Sequence, residues 1–324
     1  MNKVEIVISL PVHERPDIVK NQIYNILHFV KNCVIVIHIS EYFNKTINIK
    51  EIENIDNVVI NEEHIKTSWG NITLAHISNF EYAKTLFEFD YFIMHASNDM
   101  YVKSGINDYI KQYEAGFNRR IIGNNKSYWW PAECANNDKE LMQILKIINS
   151  NKLVASQIEG SFYSKKIFEQ IVEVIKKANV TELNNAAYTK EEFYFSTIAY
   201  TMTSDVGYPT TFSEIHRFDR NSWNFYKAIS TFMPSKSAAK ISSVYDKILF
   251  RVCKIKKRDV LRILKNDKNF LWKNSYIDDG NGIFRLYGDD VFSVKRVDRS
   301  FCRLRKFITN LENVNNEKNN KKNS

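Results

Sequence analysis

This sequence predicts an α/β fold, a mainly parallel sheet with a basic helical C-terminal extension, on three observations. Short β-branched runs alternate with amphipathic stretches over the first hundred residues. Those runs are nearly continuous in apolar residues, as expected of strands covered on both faces, whereas a half-exposed sheet would alternate. The composition, 44% hydrophobic and 26% charged over 324 residues with nine glycines and five prolines, supplies a large core and excludes collagen-like, linker-rich and low-complexity chains.

Residues 4–10 (VEIVISL) form the first strand, which Pro11 ends. A helix over 17–30 follows, with Val19, Ile23, Ile26, Leu27 and Val30 at helical spacing. Residues 33–39 (CVIVIHI) make a second buried strand, 58–60 a short third, 72–87 a helix and 91–95 (YFIMH) a fourth strand. Ligands of such sheets collect at the carboxyl ends of the strands. Here those ends hold His13, Glu14 and Arg15, then Ser40, then Ser97, Asn98 and Asp99. Further helices read over 141–147 and 165–177, separated by a strand at 153–157 and the polar turn Glu159-Gly160-Ser161, and another begins near Glu191. After Pro209 the periodicity weakens. No repeat or sharp boundary divides the chain, so the reading is a body over 1–235, a basic amphipathic segment over 236–265, a C-terminal part over 266–310 and a polar, disordered tail over 311–324.

Several functions are excluded by what is missing. No stretch of about 18 apolar residues is present to span a bilayer, and the N-terminus lacks the zones of a signal peptide, so the expected location is cytoplasmic. The four cysteines are widely spaced, with no CxxC pair and no histidine at zinc spacing. Walker, GxGxxG and HExxH motifs are absent, as is the Asp-x-Asp clamp of metal-dependent sugar-nucleotide enzymes. No metal is therefore expected, and charge on a nucleotide diphosphate would fall to Lys and Arg.

The most informative segment is Ser68-Trp69-Gly70, then a helix, then residues 89–104 (FDYFIMHASNDMYVKS). It resembles the core-2/I-branching β-1,6-N-acetylglucosaminyltransferase family, with its Ser-Trp-Gly-type element, intervening helix, Trp-Asp-Tyr-Phe-Ile strand and Gly-x-Asp-Phe-Pro-Ile-Lys-Thr turn. Asp90, Tyr91, Phe92, Ile93, Asp99, Lys103 and the hydroxyl of Ser104 match, with Phe89 for the Trp and Ser97 for the Gly. Upstream, Pro11-Val12-His13 and residues 36–40 (VIHIS) are similar to the family's first two strand ends, although Ser40 replaces an aspartate of the donor nucleotide pocket. Downstream, Gly160-Ser161 resembles the acceptor-side turn, and residues 191–197 (EEFYFST) resemble an Asp-Glu-His-Leu-Trp-x-Thr element that places Glu192 at the catalytic base. Tyr287-Gly288 and residues 292–298 (FSVKRVD) resemble the family's ending, so residues 266–310 are expected to complete the donor site.

An inverting transfer needs a carboxylate to take the acceptor hydroxyl's proton, and Glu192, beside three aromatic residues, is the candidate. The alternative is that Glu191 and Glu192 simply complement a helix dipole. A metal-free site also needs cations for the leaving diphosphate; Lys295 and Arg296 are the best pair, with Arg285 third, unless they are solvated surface groups. His13, Arg15, Ser40 and Asp99 complete the expected donor side. Asp99 and Lys103 otherwise read as a turn cap and a solvated lysine. Trp129 and Trp130, with Glu133, Glu159 and Ser161, form the expected acceptor wall, where aromatic faces meet sugar rings.

Charge is concentrated. The chain carries a formal +9, and residues 236–265 alone hold ten Lys or Arg against two acids, while the preceding 235 residues are slightly acidic. A basic segment with no reader motif on an acidic body disfavours nucleic acid. Val244, Ile248, Leu249, Val252, Ile255, Val260 and Ile263 interleave with the basic residues as expected for a helix on anionic lipid, or for a solvated face. Combined with these readings, the resemblance implies a GT-A-like nucleotide-sugar-binding fold and an inverting, metal-independent transferase with no cofactor. It takes a UDP-linked sugar (GlcNAc among the candidates) to a glycan or lipid-linked acceptor, at the inner face of a bacterial cytoplasmic membrane, in surface polysaccharide synthesis. The rivals are a retaining transferase and a non-catalytic carbohydrate- or membrane-binding protein.

Overall fold

The structure is a computed structural model that describes residues 2–13, 15–41, 50–123, 130–181, 186–278 and 283–320. Its centre is a seven-stranded sheet built from β1 (Ile6–Val12), β2 (Cys33–Ile39), β3 (Val58–Ile60), β4 (Tyr91–Met94), β6 (Ala115–Gly116), β9 (Phe162–Ser164) and β10 (Val206–Gly207), with β5 (Met100–Tyr101), β7 (Arg120–Ile122) and β8 (Leu153–Ala155) outside it. The strand order is β3-β2-β1-β4-β9-β6-β10. All run parallel except β9, which is antiparallel to both neighbours. The chain is thus a mixed α/β protein with a mainly parallel central sheet.

Both faces of that sheet are covered, which is why its strands do not alternate. Ile6, Ile8 and Leu10 of β1 enter one core with Ile35, Ile37 and Ile93, and Val7 enters another with Val36, Phe92 and Met94. Helix α1 (Pro16–Phe29) covers the first face, with Pro16 at its start, Asp17 in its first turn and Ile18, Val19, Ile23, Ile26 and Phe29 buried. On the second face lie α2 (Thr73–Leu86), α3 (Lys139–Ile147), α4 (Lys165–Lys177) and α5 (Glu191–Met202), where Phe80, Phe92, Phe168 and Phe195 pack at centroid distances of 4.4–5.6 Å.

Two boundaries differ from the sequence expectation for physical reasons. β1 continues through Pro11 because β4 pairs with it only as far as Ser9; beyond that point β1 has β2 alone as a neighbour, so a missing N–H costs no ladder bond. The weakly periodic stretch after Pro209 contains a 16-residue helix, α6 (Ile215–Ser230), and the basic segment forms two helices, α7 (Ser235–Val252) and α8 (Lys257–Leu264). Helix α9 (Lys268–Lys273), the hairpin β12 (Tyr276–Asp278) and β13 (Ile283–Arg285), and α10 (Arg303–Asn320) complete the chain, so the described helix extends into residues 311–320.

A small sheet joins the C-terminal part to the body: β14 (Ser293–Val294) lies between β5 and β11 (Thr211–Phe212). A third core around Met100, Phe212, Val260, Ile263, Phe270 and Val294 holds that junction. Along α7 the pattern is inverted: Ala238, Ser242 and Leu249 are buried, while Ile241, Val244, Ile248 and Val252 are 44–60% exposed. Phe232, in the turn before α7, is 87% exposed.

Candidate functional site

The chain leaves β1 toward β2 on one side, and β4 pairs on the other, so the topological switch point lies at the carboxyl ends of β1 and β4. The connection from β8 to β9 closes over it. Gly160 N donates to Met94 O at 3.0 Å, and Met94 N donates to Ser161 O at 3.1 Å. Gly160 is required there: its φ is +77°, and a Cβ would lie 2.6 Å from the Thr211 backbone nitrogen. This turn fixes Glu159 above β4. From the other side, β14 delivers Lys295 and Arg296, anchored by Lys295 N to Phe212 O at 2.8 Å and Val297 N to Asn98 O at 2.8 Å. Arg296 takes a left-handed φ of 67°.

Four carboxylates and two cations meet at this point. Lys295 Nζ lies 2.5 Å from Glu159 Oε2, and Arg296 donates to Glu214 Oε1 at 2.7 Å. Burial alone would raise the Glu159 pKa, but Lys295 and Arg296 outweigh it and hold the carboxyl below its ordinary range. Glu192, partly buried in the first turn of α5, goes the other way: desolvation and the Glu159 charge raise it, against the pull of Lys295 and Arg296. Asp99 is fully buried and is raised well above its usual value by desolvation and by Glu159. Its carboxylate accepts from Ala96 N at 3.2 Å, so it also caps its own turn.

Beneath the carboxylates lies a polar layer. Ser9 and His76 Nδ1 are 2.8 Å apart, Asn79 donates to Ser9 Oγ at 2.9 Å, and Gln22 contacts His95 Nε2 at 3.0 Å. Burial lowers the pKa of His76 and of His95 to about 3, and that of His38 to about 4, so all three are neutral near pH 7. His76 Nε2, Ser97 Oγ and Gln157 Nε2 are buried with no hydrogen-bond partner among the described residues. Each of these atoms lacks the bond that a buried polar group normally makes. Among the described residues no three His, Cys, Asp or Glu converge as a metal-binding group.

The structure brings together Glu192, Glu159, Asp99, Lys295 and Arg296 among the residues singled out from sequence. Ser161 sits in the same turn, fully buried, its hydroxyl donating to Gln157 O at 2.9 Å. Ser40 is buried at the end of β2 and accepts from Thr67 N at 3.0 Å. His13 is exposed after β1, and Arg15 is an exposed partner of Asp17. Arg285 is on the β12–β13 hairpin, bonded to Asp289 at 3.2 Å and 5.0 Å from the Tyr208 ring. Lys103 reaches Asp290 at 3.2 Å. Glu14 and Trp129 lie outside the described residues, and Trp130 is described only as the first backbone position of a short helix.

Sequence reasoning missed Glu214, Gln157, His76, His95 and Ser213 as site residues, and brought in Tyr287 only through the Tyr287-Gly288 ending. Ser213 Oγ donates to Gln157 Oε1 at 2.9 Å, and the Tyr287 hydroxyl donates to Ser213 O at 2.9 Å, which locks the turn to the C-terminal part. Only the histidines carried a signal, as polar residues inside apolar runs; Glu214 looks in sequence like any loop acid.

No protein-family model and no curated protein matches this sequence. Among solved structures, the chain is similar to a galactosyltransferase, LgtC, in complex with donor and acceptor sugar analogues. The identity is 7% and the TM-score 0.36, over 65% of this chain and 77% of that one.

Proposed function

We propose that this protein is an inverting glycosyltransferase, similar to the core-2/I-branching enzymes, with Glu192 as its base. One observation carries the proposal: a carboxyl with a raised pKa stands at the switch point of a parallel sheet, in the field of two cations. In the proposed reaction the acceptor hydroxyl oxygen bonds to the anomeric carbon as its proton passes to Glu192. The bond from that carbon to the diphosphate oxygen breaks, and the diphosphate leaves with the electron pair. Lys295 and Arg296 are the groups proposed to meet that charge without a metal ion. The orphaned atoms of Ser97 and Gln157 supply polar contacts for sugar hydroxyls.

The proposed acceptor and location draw on the second half of the molecule. The exposed aliphatic stripe on α7 is flanked by exposed Lys240, Lys247 and Arg251, which suits an anionic bilayer surface and a lipid-linked saccharide acceptor in polysaccharide synthesis. No helix among the described residues is long and apolar enough to cross a membrane.

The pairing of Lys295 with Glu159 and of Arg296 with Glu214 favours one rival, a carbohydrate-binding protein of the same fold that does not catalyse. A donor diphosphate must share or displace those carboxylates. A panel of nucleotide sugars with saccharide acceptors, run with and without EDTA, tests the proposal. Product formation that survives EDTA is expected; an absolute metal requirement would rule out the mechanism, and binding without turnover would favour the rival.

A further inference from the structure

A second charged centre lies outside the candidate active site. A cavity of about 380 Å³ between α6, α8 and α9 is lined by Arg217, Arg220, Arg258, Arg262 and Lys273, with Asp259 the one acid among the described residues that line it. None of Glu159, Glu192, Lys295 or Arg296 lines it.

Its charges are unevenly matched. Asp259 is buried and accepts two bonds from Arg217, at 2.8 and 3.1 Å, and one from Lys256 N at 2.9 Å. It therefore compensates one guanidinium and holds it rigid. Arg220 is fixed as well, but by neutral groups, the carbonyls of Lys273 and Tyr276, each at 3.1 Å. Among the described residues, Arg258 and Arg262, one turn apart on α8, come no nearer to a carboxylate than 3.9 and 4.0 Å and are 74% and 57% exposed. Lys273 makes no ion pair among the described residues.

Several cations held around one concavity repel each other unless an anion joins them. Guanidinium forks bind tetrahedral oxyanions through paired N–H donors, and two of these forks are already ordered before any ligand arrives. We propose that this cavity is an anion site that takes a phosphate group, either the headgroup of a membrane lipid or a soluble phosphate ester. Arg217 and Arg220 form its fixed floor, and Arg258 and Arg262 close on the bound phosphate from the rim. The site does not depend on the transferase assignment, since it uses none of the same side chains.

Inorganic pyrophosphate titrated into the full chain by calorimetry reads the site. Saturable binding is expected, weakened at least tenfold in R258A/R262A, whose substitutions fall on exposed positions and preserve the fold. Removing the same charge from α7, as K240A/K247A, should change the affinity less than twofold. No saturable binding overturns the proposal, and so does an R258A/R262A affinity equal to that of the wild type, which would send pyrophosphate elsewhere. Equal losses in both double variants would also overturn it, because diffuse charge would then account for the binding. Phosphatidylcholine vesicles with and without phosphatidic acid separate the two sources. Rim-dependent sedimentation with the acidic vesicles identifies a lipid headgroup, and rim-dependent pyrophosphate binding without it identifies a soluble phosphate.

Discussion

Glu192 and Glu159 share one cluster yet shift in opposite directions, because Glu159 is bonded directly to Lys295, whereas desolvation is the largest influence on Glu192 and Lys295 acts on it through charge alone. Each shift has a consequence for stability. A raised Glu192 keeps its proton in the folded protein at pH values where the unfolded chain has lost it, so stability falls as pH rises through that window. Glu192→Gln should therefore melt above the wild type at pH 8, the gap closing as pH drops toward the ordinary glutamate range; a variant less stable at every pH would make Glu192 a structural ion-pair partner. Glu159 has the reverse sign. Its contribution is present above the unfolded pKa and is lost only as pH falls through the lowered folded value. Glu159→Gln leaves Lys295 buried without its counter-charge and should cost about 3–5 kcal/mol in urea denaturation at pH 7. At this scale the sequence showed which residue types to watch, and the family-like motifs brought out Glu192, Lys295 and Arg296. It could not show Glu214 as the partner of Arg296, because 82 residues separate them and no local pattern links them.

At the level of elements, the β8–β9 turn and α7 carry the greatest consequences. Gly160 permits a left-handed turn pressed against Thr211, and an alanine there would be both strained and overpacked. Gly160→Ala should cost about 2–4 kcal/mol and displace Glu159, read as a lowered urea midpoint. On α7, Ile248→Ser with Val252→Ser touches only exposed positions. It should leave the melting temperature within a degree or two and reduce sedimentation with anionic vesicles severalfold; unchanged sedimentation would place the contact elsewhere. The longer strands and helices of the first two hundred residues were legible because both faces of the sheet are buried and the helices carry an apolar stripe, whereas β7 and β9, of three residues each, were not read from the sequence. Strands of two residues, such as β5, β11 and β14, were not legible either, since a dipeptide has no period and its pairing is set by tertiary contacts.

For the molecule as a whole, the fold class was legible because layer architecture follows from alternating strands and helices, and the net charge was legible as a local property. Its meaning changed with the structure. The basic segment folds into α7 and α8, which differ: one turns aliphatic residues outward, and the other turns arginines toward a cavity shared with α6 and α9. The site combines loops from residues 95–99, 157–161, 213–214 and 295–296, and only long-range packing brings such segments together. The most direct test of the transferase assignment is the turnover number of Glu192→Gln against the wild type, with the nucleotide sugar that the panel identifies. A base at Glu192 predicts a loss of about 10²–10⁴-fold with little change in donor KM, whereas undiminished turnover would contradict it.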